Sequence, residues 1–323
     1  MTAVRFVPYA EAADLPNIVV DGASAAATVL TLSHWPKSGT PETLRADTSA
    51  EIVFKYLDAP AMHVEVGAAS NNHFDEDGLI GIFALTRPDL AARWRALLVE
   101  IARAGDFGIC RSRNAARIAF VLAAYAEKSS SPLPRSTFAG PYPEVTAKLY
   151  QELLPVVPHL LTHVEDFQKL WEAEDRALQE GEWLVDGGIV TIEPNSDLDL
   201  AIVRVPADVA EPHAMALHTR TPYSRLIVVH GTSVELRYRY ESWVQFASRP
   251  IAPRVDLAPL AAELNAADLG AAWIFEGVDQ ITPRLYRDAP GATLPVDHVV
   301  ERLIESLRTG PAAWNPYGSQ NKP

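Results

Sequence analysis

The run Ala69-Ser70-Asn71-Asn72-His73-Phe74-Asp75-Glu76-Asp77-Gly78-Leu79-Ile80-Gly81-Ile82-Phe83 constrains this chain more than any other stretch. Ahead of it, Met62-His63-Val64-Glu65-Val66 alternates as a strand does, and behind it Leu79 to Ala104 has few helix breakers. Strand, polar turn and apolar helix in succession predict an α/β fold, in which sites form outside the carboxyl ends of strands. One imidazole and three carboxylates crowd this turn. The following helix N-terminus tolerates carboxylates, because its free N–H groups and dipole stabilise negative charge. The side chains still repel one another unless they are solvated or neutralised. A divalent cation is the direct neutraliser, and His with Asp is a common ligand set for zinc, manganese or iron. The ordinary alternative is a solvated acidic turn that caps a helix. Asn71, Asn72 and His73 add polar density between strongly apolar flanks, which favours a metal or catalytic site.

With 323 residues the chain is long enough for two domains, and 48% apolar residues support sizeable cores. A net charge of −13 argues against a general nucleic-acid or membrane-surface role, although it leaves room for a local basic groove. The single Cys110 excludes an internal disulfide and a Cys-rich zinc site. Residues 1–13 carry Arg5 and Glu11 and no long apolar core, so they do not read as a secretory signal. No apolar run is long enough to span a bilayer. The expectation is a soluble cytoplasmic protein, with a homodimer compatible with it.

Asn17 to Gly22 reads as a buried strand ending in Asp21 and a turn glycine, and Val29 to Pro36 as a second strand running into a loop. Asp47 or Thr48 then caps a helix over Ile52 to Leu57. Beyond the acidic turn the pattern stays helical to about Lys128, with Pro88 opening a new helix and Gly105-Asp106-Phe107-Gly108 interrupting it. Helical patterns return from Pro143 to Glu180 and stop at Gly181. After Gly187-Gly188 the period changes to two. Residues 189–192, 200–205, 214–218, 226–230 and 234–240 read as strands, with a hairpin turn at Gly231-Thr232. Helices are predicted at 257–265 and 296–307, a strand at 273–275, and a loose tail from 310 to 323. The predicted domains are 1–180, an α/β layered domain with many helices, and 187–309, a mixed α/β substrate or cap domain.

Several other residues are candidate ligands. A calcium loop starting at His73 would need a bidentate Glu where Ala84 stands, so an EF-hand is excluded. His34 and Asp21 each end a strand and join the site if those strands neighbour the one before His73. Asp106 is either a plain helix-end residue or a further carboxylate for the same ion. His159 and His163 stand four apart on a predicted helix, but no Glu follows the first, so metalloprotease machinery is absent. Arg237 and Arg239 share one face of a predicted strand and, with Arg220, offer an anion clamp. Serine-hydrolase, P-loop and dinucleotide fingerprints are missing.

The turn His73-Phe74-Asp75-Glu76-Asp77-Gly78 before an apolar helix resembles the first motif of the DHH phosphoesterase superfamily. Ser233 to Arg239 followed by Val255 to Ala261 is similar to the smaller second domain of those proteins. The resemblance implies a divalent metal, manganese first, and a phosphoester substrate. It covers the first motif and the C-terminal domain only, and no Asp-His-His triplet occurs in the chain. As a whole, Leu32 to Pro36, Asn72 to Gly78 and Arg237 to Trp243 look like an uncharacterised bacterial family of unknown function.

These readings combine into a two-domain α/β hydrolase. It would act on a phosphate ester or another anionic small substrate. Its divalent ion would be manganese, with zinc or iron as alternatives. His73, Asp75 and Asp77 hold the ion, helped by His34, Asp106 and Asp21, and Arg237, Arg239 and Arg220 seat the anion across an interdomain cleft. The missing triplet keeps a second expectation open: a non-catalytic protein of such descent that binds a ligand or partner.

Overall fold

In the computed structural model, residues 4–268, 272–288 and 294–317 are described. The chain divides into two compact units. The first comprises residues 1–176 with 245–248, and the second 177–244 with 249–323.

The first unit opens with β1 (Arg5–Phe6), α1 (Tyr9–Ala12), β2 (Asn17–Val20) and β3 (Thr28–Leu32). Helix α2 (Ser49–Leu57) precedes β4 (Ala68–Ser70), and α3 (Glu76–Thr86) follows it. Then come α4 (Pro88–Phe107), α5 (Arg113–Ala126), α6 (Tyr142–Leu153), α7 (Val157–His163) and α8 (Gln168–Asp186), the last continuing into the second unit. The four strands pair in parallel in the order β1-β4-β2-β3. The inner strands β2 and β4 are buried along their whole length, as an inner strand of a parallel sheet must be.

The strand before the acidic turn is Ala68–Ser70 and not 62–66. Alternation misled here. Pro60–Met62 is a 3-10 turn, and the true strand is a run of small residues against which α1 and α3 pack. Helix α2 begins in a capping box. Thr48 Oγ1 accepts from Glu51 N at 3.2 Å, and Glu51 Oε2 accepts from Thr48 N at 3.4 Å. Asp47 is therefore left for another task. Helix α4 runs through Gly105 and Asp106 and ends at Gly108, which takes the left-handed φ of 59° suited to a helix terminus. Asp106 thus sits inside the last helical turn, where the expected interruption does not occur. Gly105 is tolerated there because Glu76 packs onto it: a Cβ would lie 2.6 Å from that of Glu76.

The second unit holds a six-stranded sheet in the order β10-β11-β8-β7-β6-β5. Its strands are β5 (Thr191–Asn195), β6 (Leu200–Val205), β7 (Arg225–His230), β8 (Ser233–Tyr238), β10 (Trp273–Phe275) and β11 (Arg284–Arg287). Only β6 and β7 run parallel. That pairing corrects the strand expected at 214–218. Parallel neighbours need a crossover, and the segment is helix α9 (Ala214–Arg220), whose first N–H groups meet the ring of His213: Met215 N donates to His213 Nδ1 at 3.1 Å. The hairpin at Gly231 joins β7 to β8, with the glycine at φ 58°. Helices α10 (Ala258–Ala267) and α11 (Val296–Thr309) supply Leu260, Leu264, Val299 and Leu303 to one core of this unit. Leu184 and Leu217 join Val203 and Val228 in the other. Part of the expected loose tail is strand: β12 (Ala312–Trp314) pairs with β9 (Arg254–Val255). The remainder, 318–323, lies outside the described residues. No helix among the described residues is long and apolar enough to cross a membrane.

One close approach at the end of β2 gives a clean test. A Cβ on Gly22 would lie 2.1 Å from Asn72 Oδ1 and 2.8 Å from Asn71 Oδ1. Neither amide is free to move, since Asn72 Oδ1 accepts from Ala23 N and Asn71 bonds Tyr150. Gly22→Ala is expected to lower the unfolding free energy by about 1–3 kcal/mol. Gly67→Ala, with nothing within 4 Å of its Cβ, should cost less than about 0.5 kcal/mol. Urea unfolding of the two variants checks this, and equal losses would contradict the packing described.

Candidate metal centre

Strand β2 ends in Asp21, which takes a left-handed φ of 49°. Aspartate is among the few residues that visit this region, and here the conformation turns the carboxylate across the sheet's carboxyl edge. Its Oδ1 accepts from Ser49 Oγ at 2.7 Å and lies 3.3 Å from His34 Nε2. Its Oδ2 lies 3.2 Å from His73 Nε2.

His34 follows β3 and is fully buried. Its Nδ1 is 2.6 Å from the carbonyl of Asp47. A carbonyl only accepts, so Nδ1 must carry the proton that is donated, and Nε2 is the nitrogen turned into the site. Three carboxylates face it: Asp21 at 3.3 Å, Asp106 Oδ2 at 3.5 Å and Asp77 Oδ2 at 4.0 Å. The loop that delivers Asp47 is itself anchored. Asp47 Oδ1 accepts from Ala247 N and Ser248 N, and Gln245 N donates to the His34 carbonyl at 2.7 Å. Residues 245–248 therefore brace both chain segments that fix the imidazole.

Asp75 is the N-cap of α3, its Oδ1 accepting from Gly78 N at 2.8 Å while Oδ2 meets His73 Nε2 at 2.6 Å. Asp77 is fully buried, and its two oxygens accept from Ser49 N and Ala50 N at the start of α2. Asn71 sets the approach to the turn: Oδ1 accepts from His73 N, and Nδ2 donates to the hydroxyl of Tyr150 at 2.9 Å. Trp35 packs on the His73 ring with centroids 4.9 Å apart.

The electrostatics are unbalanced. Burial alone would lower the pKa of the His34 imidazole, yet its contact with Asp21 and the charges of Asp21 and Asp77 lift it to about 9. The same contest, with Asp75 and Asp21 on the winning side, lifts His73 to about 11. For Asp21 burial works upward, but the two imidazoles outweigh it and hold the carboxyl below the usual range. Burial and then the Asp21 charge push Asp77 up to about 7, and burial with the Asp75 charge does the same for Glu76. Asp106 is raised well above its ordinary value by burial and by Asp77, Asp75 and Asp21. It also stands in the last turn of a helix, where the dipole disfavours an anion. Three buried atoms of the cluster have no hydrogen-bond partner among the described residues: Asp21 Oδ2, Asp106 Oδ2 and His73 Nδ1.

Two triads have donor atoms within 4.8 Å of one another and could hold a metal: Asp21, His34 and Asp77, and Asp21, His73 and Asp75. With metal–ligand bonds of ~2.0–2.2 Å, donors around one cation stand roughly 3–4 Å apart. The separations around His34 Nε2 match that spacing, whereas the 2.6 Å between His73 and Asp75 is that of a hydrogen bond.

All six residues read from the sequence as metal ligands or catalytic groups therefore converge: His34, Asp21, His73, Asp75, Asp77 and Asp106. The three arginines belong to the second unit, each engaged by carboxylates. Arg220 forks onto Asp186 at 2.7 Å, Arg237 pairs with Glu211 and Glu235, and buried Arg239 pairs with Glu241 at 2.6 Å. Arg237 lies on β8 with Glu235, but the strand ends at Tyr238, so Arg239 and Glu241 belong to the 3-10 turn that follows and the strand face expected for Arg237 and Arg239 together does not form. Sequence reasoning gave no role to Ser49, Glu76, Asn71 or Tyr150. Only Glu76 and Asn71 carried a signal, by lying in the acidic turn.

A parallel sheet with histidines and carboxylates gathered at its strand ends defines an α/β protein with a candidate divalent-cation centre. The chain belongs to DUF6687, described as a family of unknown function, whose model matches residues 2–317. No curated protein and no solved structure matched the chain.

The pH dependence of the metal-free protein follows from these shifts. His34 is raised from 6.5 to about 9, so its contribution to stability is complete below pH 6.5 and is lost as pH rises to 9. The raised Asp77 carboxyl works in the same direction over lower pH, since its protonated form is the one favoured by folding. In chelator, the urea midpoint is expected to fall between pH 6.5 and 9, by up to the order of 3 kcal/mol in unfolding free energy. A divalent cation should reverse the trend. A midpoint that stays flat or rises in chelator contradicts the proposed electrostatics.

Proposed function

We propose that this protein is a metal-dependent hydrolase acting on a phosphate ester or another anionic small substrate. The observation that carries the reading is His34: a carbonyl fixes its Nδ1 proton, and Nε2 points at three buried carboxylates. That donor set of one nitrogen and several oxygens favours manganese, with zinc or iron as alternatives. The resemblance of His73 to Gly78 to the first DHH phosphoesterase motif points to the same metal and substrate class.

In this reading Asp21, His34, Asp77 and Asp106 bind the cation. The α2 N-terminus orients Asp77 through Ser49 N and Ala50 N. Asp47 and residues 245–248 keep the imidazole in its binding tautomer, an outer support of the kind that raises metal affinity. When bound, the cation lowers the pKa of a water and polarises the scissile bond. The guanidinium groups of Arg220, Arg237 and Arg239, expected to seat the anion, are each paired with carboxylates of their own.

One observation favours a second reading. Asp77 has both oxygens in backbone hydrogen bonds and Asp75 caps a helix, so a cation here could serve binding without turnover. Metal content comes first in testing the proposal. Purified protein incubated with manganese should retain at least one ion per chain after desalting, and Asp75→Ala/Asp77→Ala should lose it. Retention should accompany manganese-dependent release of phosphate from a panel of phosphoesters. Metal bound with no turnover on the panel supports the second reading, and a chain that stays metal-free with manganese, zinc and iron defeats both.

A further inference from the structure

The second unit holds a cavity that the metal-centre reading leaves unused. We propose that this cavity binds a free amino acid with an apolar side chain, whose carboxylate and ammonium groups insert into the ion pair between Arg220 and Asp186.

The cavity measures about 510 Å³, within the usual range of small-molecule sites. Every residue lining it belongs to the second unit. Its walls are largely apolar. Val185, Val190, Ile192 and Tyr223 join one hydrophobic cluster of that unit, and of these Val185, Ile192 and Tyr223 are only partly buried. One wall is fixed in advance. Arg239 Nη1 donates to the carbonyls of Thr221 at 2.9 Å and Tyr223 at 3.1 Å, and Arg249 Nη2 donates to that of Pro222. Another wall is β5, the last strand of its sheet. Pro194 removes a backbone donor from it, as in edge strands that resist further pairing. A small molecule suits this edge better than an added peptide strand.

The charged side chains lining the cavity are Arg220 and Asp186. Arg220 Nε and Nη2 donate to Asp186 Oδ1 and Oδ2, both at 2.7 Å. The two partners are held unequally. Asp186 is the last residue of α8 and its side chain is 65% exposed, whereas that of Arg220 is 21% exposed and its Nη1 donates to the Ala216 carbonyl at 3.2 Å. The C-terminus of α8 disfavours the Asp186 anion and favours a positive group beside it. An incoming carboxylate takes the planar edge of Arg220 that Asp186 now occupies, in the two-point fashion guanidinium groups prefer. The ammonium on the neighbouring carbon then takes Asp186. Both displaced charges are matched, and the net charge of the pocket does not change. A carboxylate alone would strand Asp186, and an amine alone would draw Asp186 from Arg220 without replacing it. The amino acid side chain lies against Val190, Ile192 and Pro222.

Calorimetric titration of the intact chain with L-leucine tests the proposal. Leucine is expected to saturate one site per chain. L-Alanine, three carbons shorter, should bind roughly fiftyfold more weakly. 4-Methylpentanoate lacks the ammonium and 3-methylbutylamine lacks the carboxylate, and each should bind roughly tenfold more weakly than leucine. Asp186→Asn should weaken leucine by a similar factor and leave 4-methylpentanoate no weaker than before. Arg220→Gln should abolish leucine binding. Asp186→Asn, at an exposed position, carries the test if the arginine variant does not unfold cooperatively in urea. Absence of leucine binding to the wild type overturns the proposal. So does 4-methylpentanoate or 3-methylbutylamine binding as tightly as leucine, or Asp186→Asn binding leucine as the wild type does.

Discussion

Crowded, buried carboxylates govern this fold's first unit. Taking an ionised carboxylate out of water costs roughly several kcal/mol even after the protein relaxes. Asp21, Asp77 and Asp106 are all buried around one imidazole, with Asp75 and His73 beside them. Part of that cost is offset locally. Ser49 and Ala50 give Asp77 two backbone donors, and Gly78 gives Asp75 one. Asp21 Oδ2 and Asp106 Oδ2 receive no such donor. The raised pKa values of Asp77, Glu76, Asp106, His34 and His73 describe the strain that remains when protons alone must balance the charges. A bound divalent cation would offset those charges directly.

The surrounding architecture serves the same end. Four parallel strands bring Asp21, His34 and the turn after Ser70 to one edge of the sheet. Helix α2 points its N-terminus at Asp77, helix α4 carries Asp106 in its final turn, and the missing side chain of Gly105 lets Glu76 lie against that turn. Four residues from far along the chain, 245–248, close the loop that fixes His34. These contacts hold the candidate ligands in fixed positions.

The candidate ligands are legible in the sequence because each stands where a strand or helix begins or ends, and such positions are readable from periodicity. Asp21 and His34 depended on strand adjacency. Strand β2 does neighbour β4, whereas β3 does not, so His34 reaches the cluster through its loop. Elements defined by small or mixed residues were harder to see. Ala68–Ser70 is a strand because of what packs against it, and Ala214–Arg220 is a helix because its flanking strands are parallel. Nothing local in residues 245–248 announces a contact with Asp47 two hundred positions away, since that pairing is made entirely by tertiary structure.

The central claim is that a cation sits against Asp21, between it and a histidine. Anomalous scattering from crystals grown with manganese tests it most directly. The account predicts a strong anomalous peak within coordinating distance of Asp21 and His34 Nε2. Crystals with manganese in the mother liquor, no peak in the cluster, and Asp21, His34 and Asp77 pointing apart into water would contradict it.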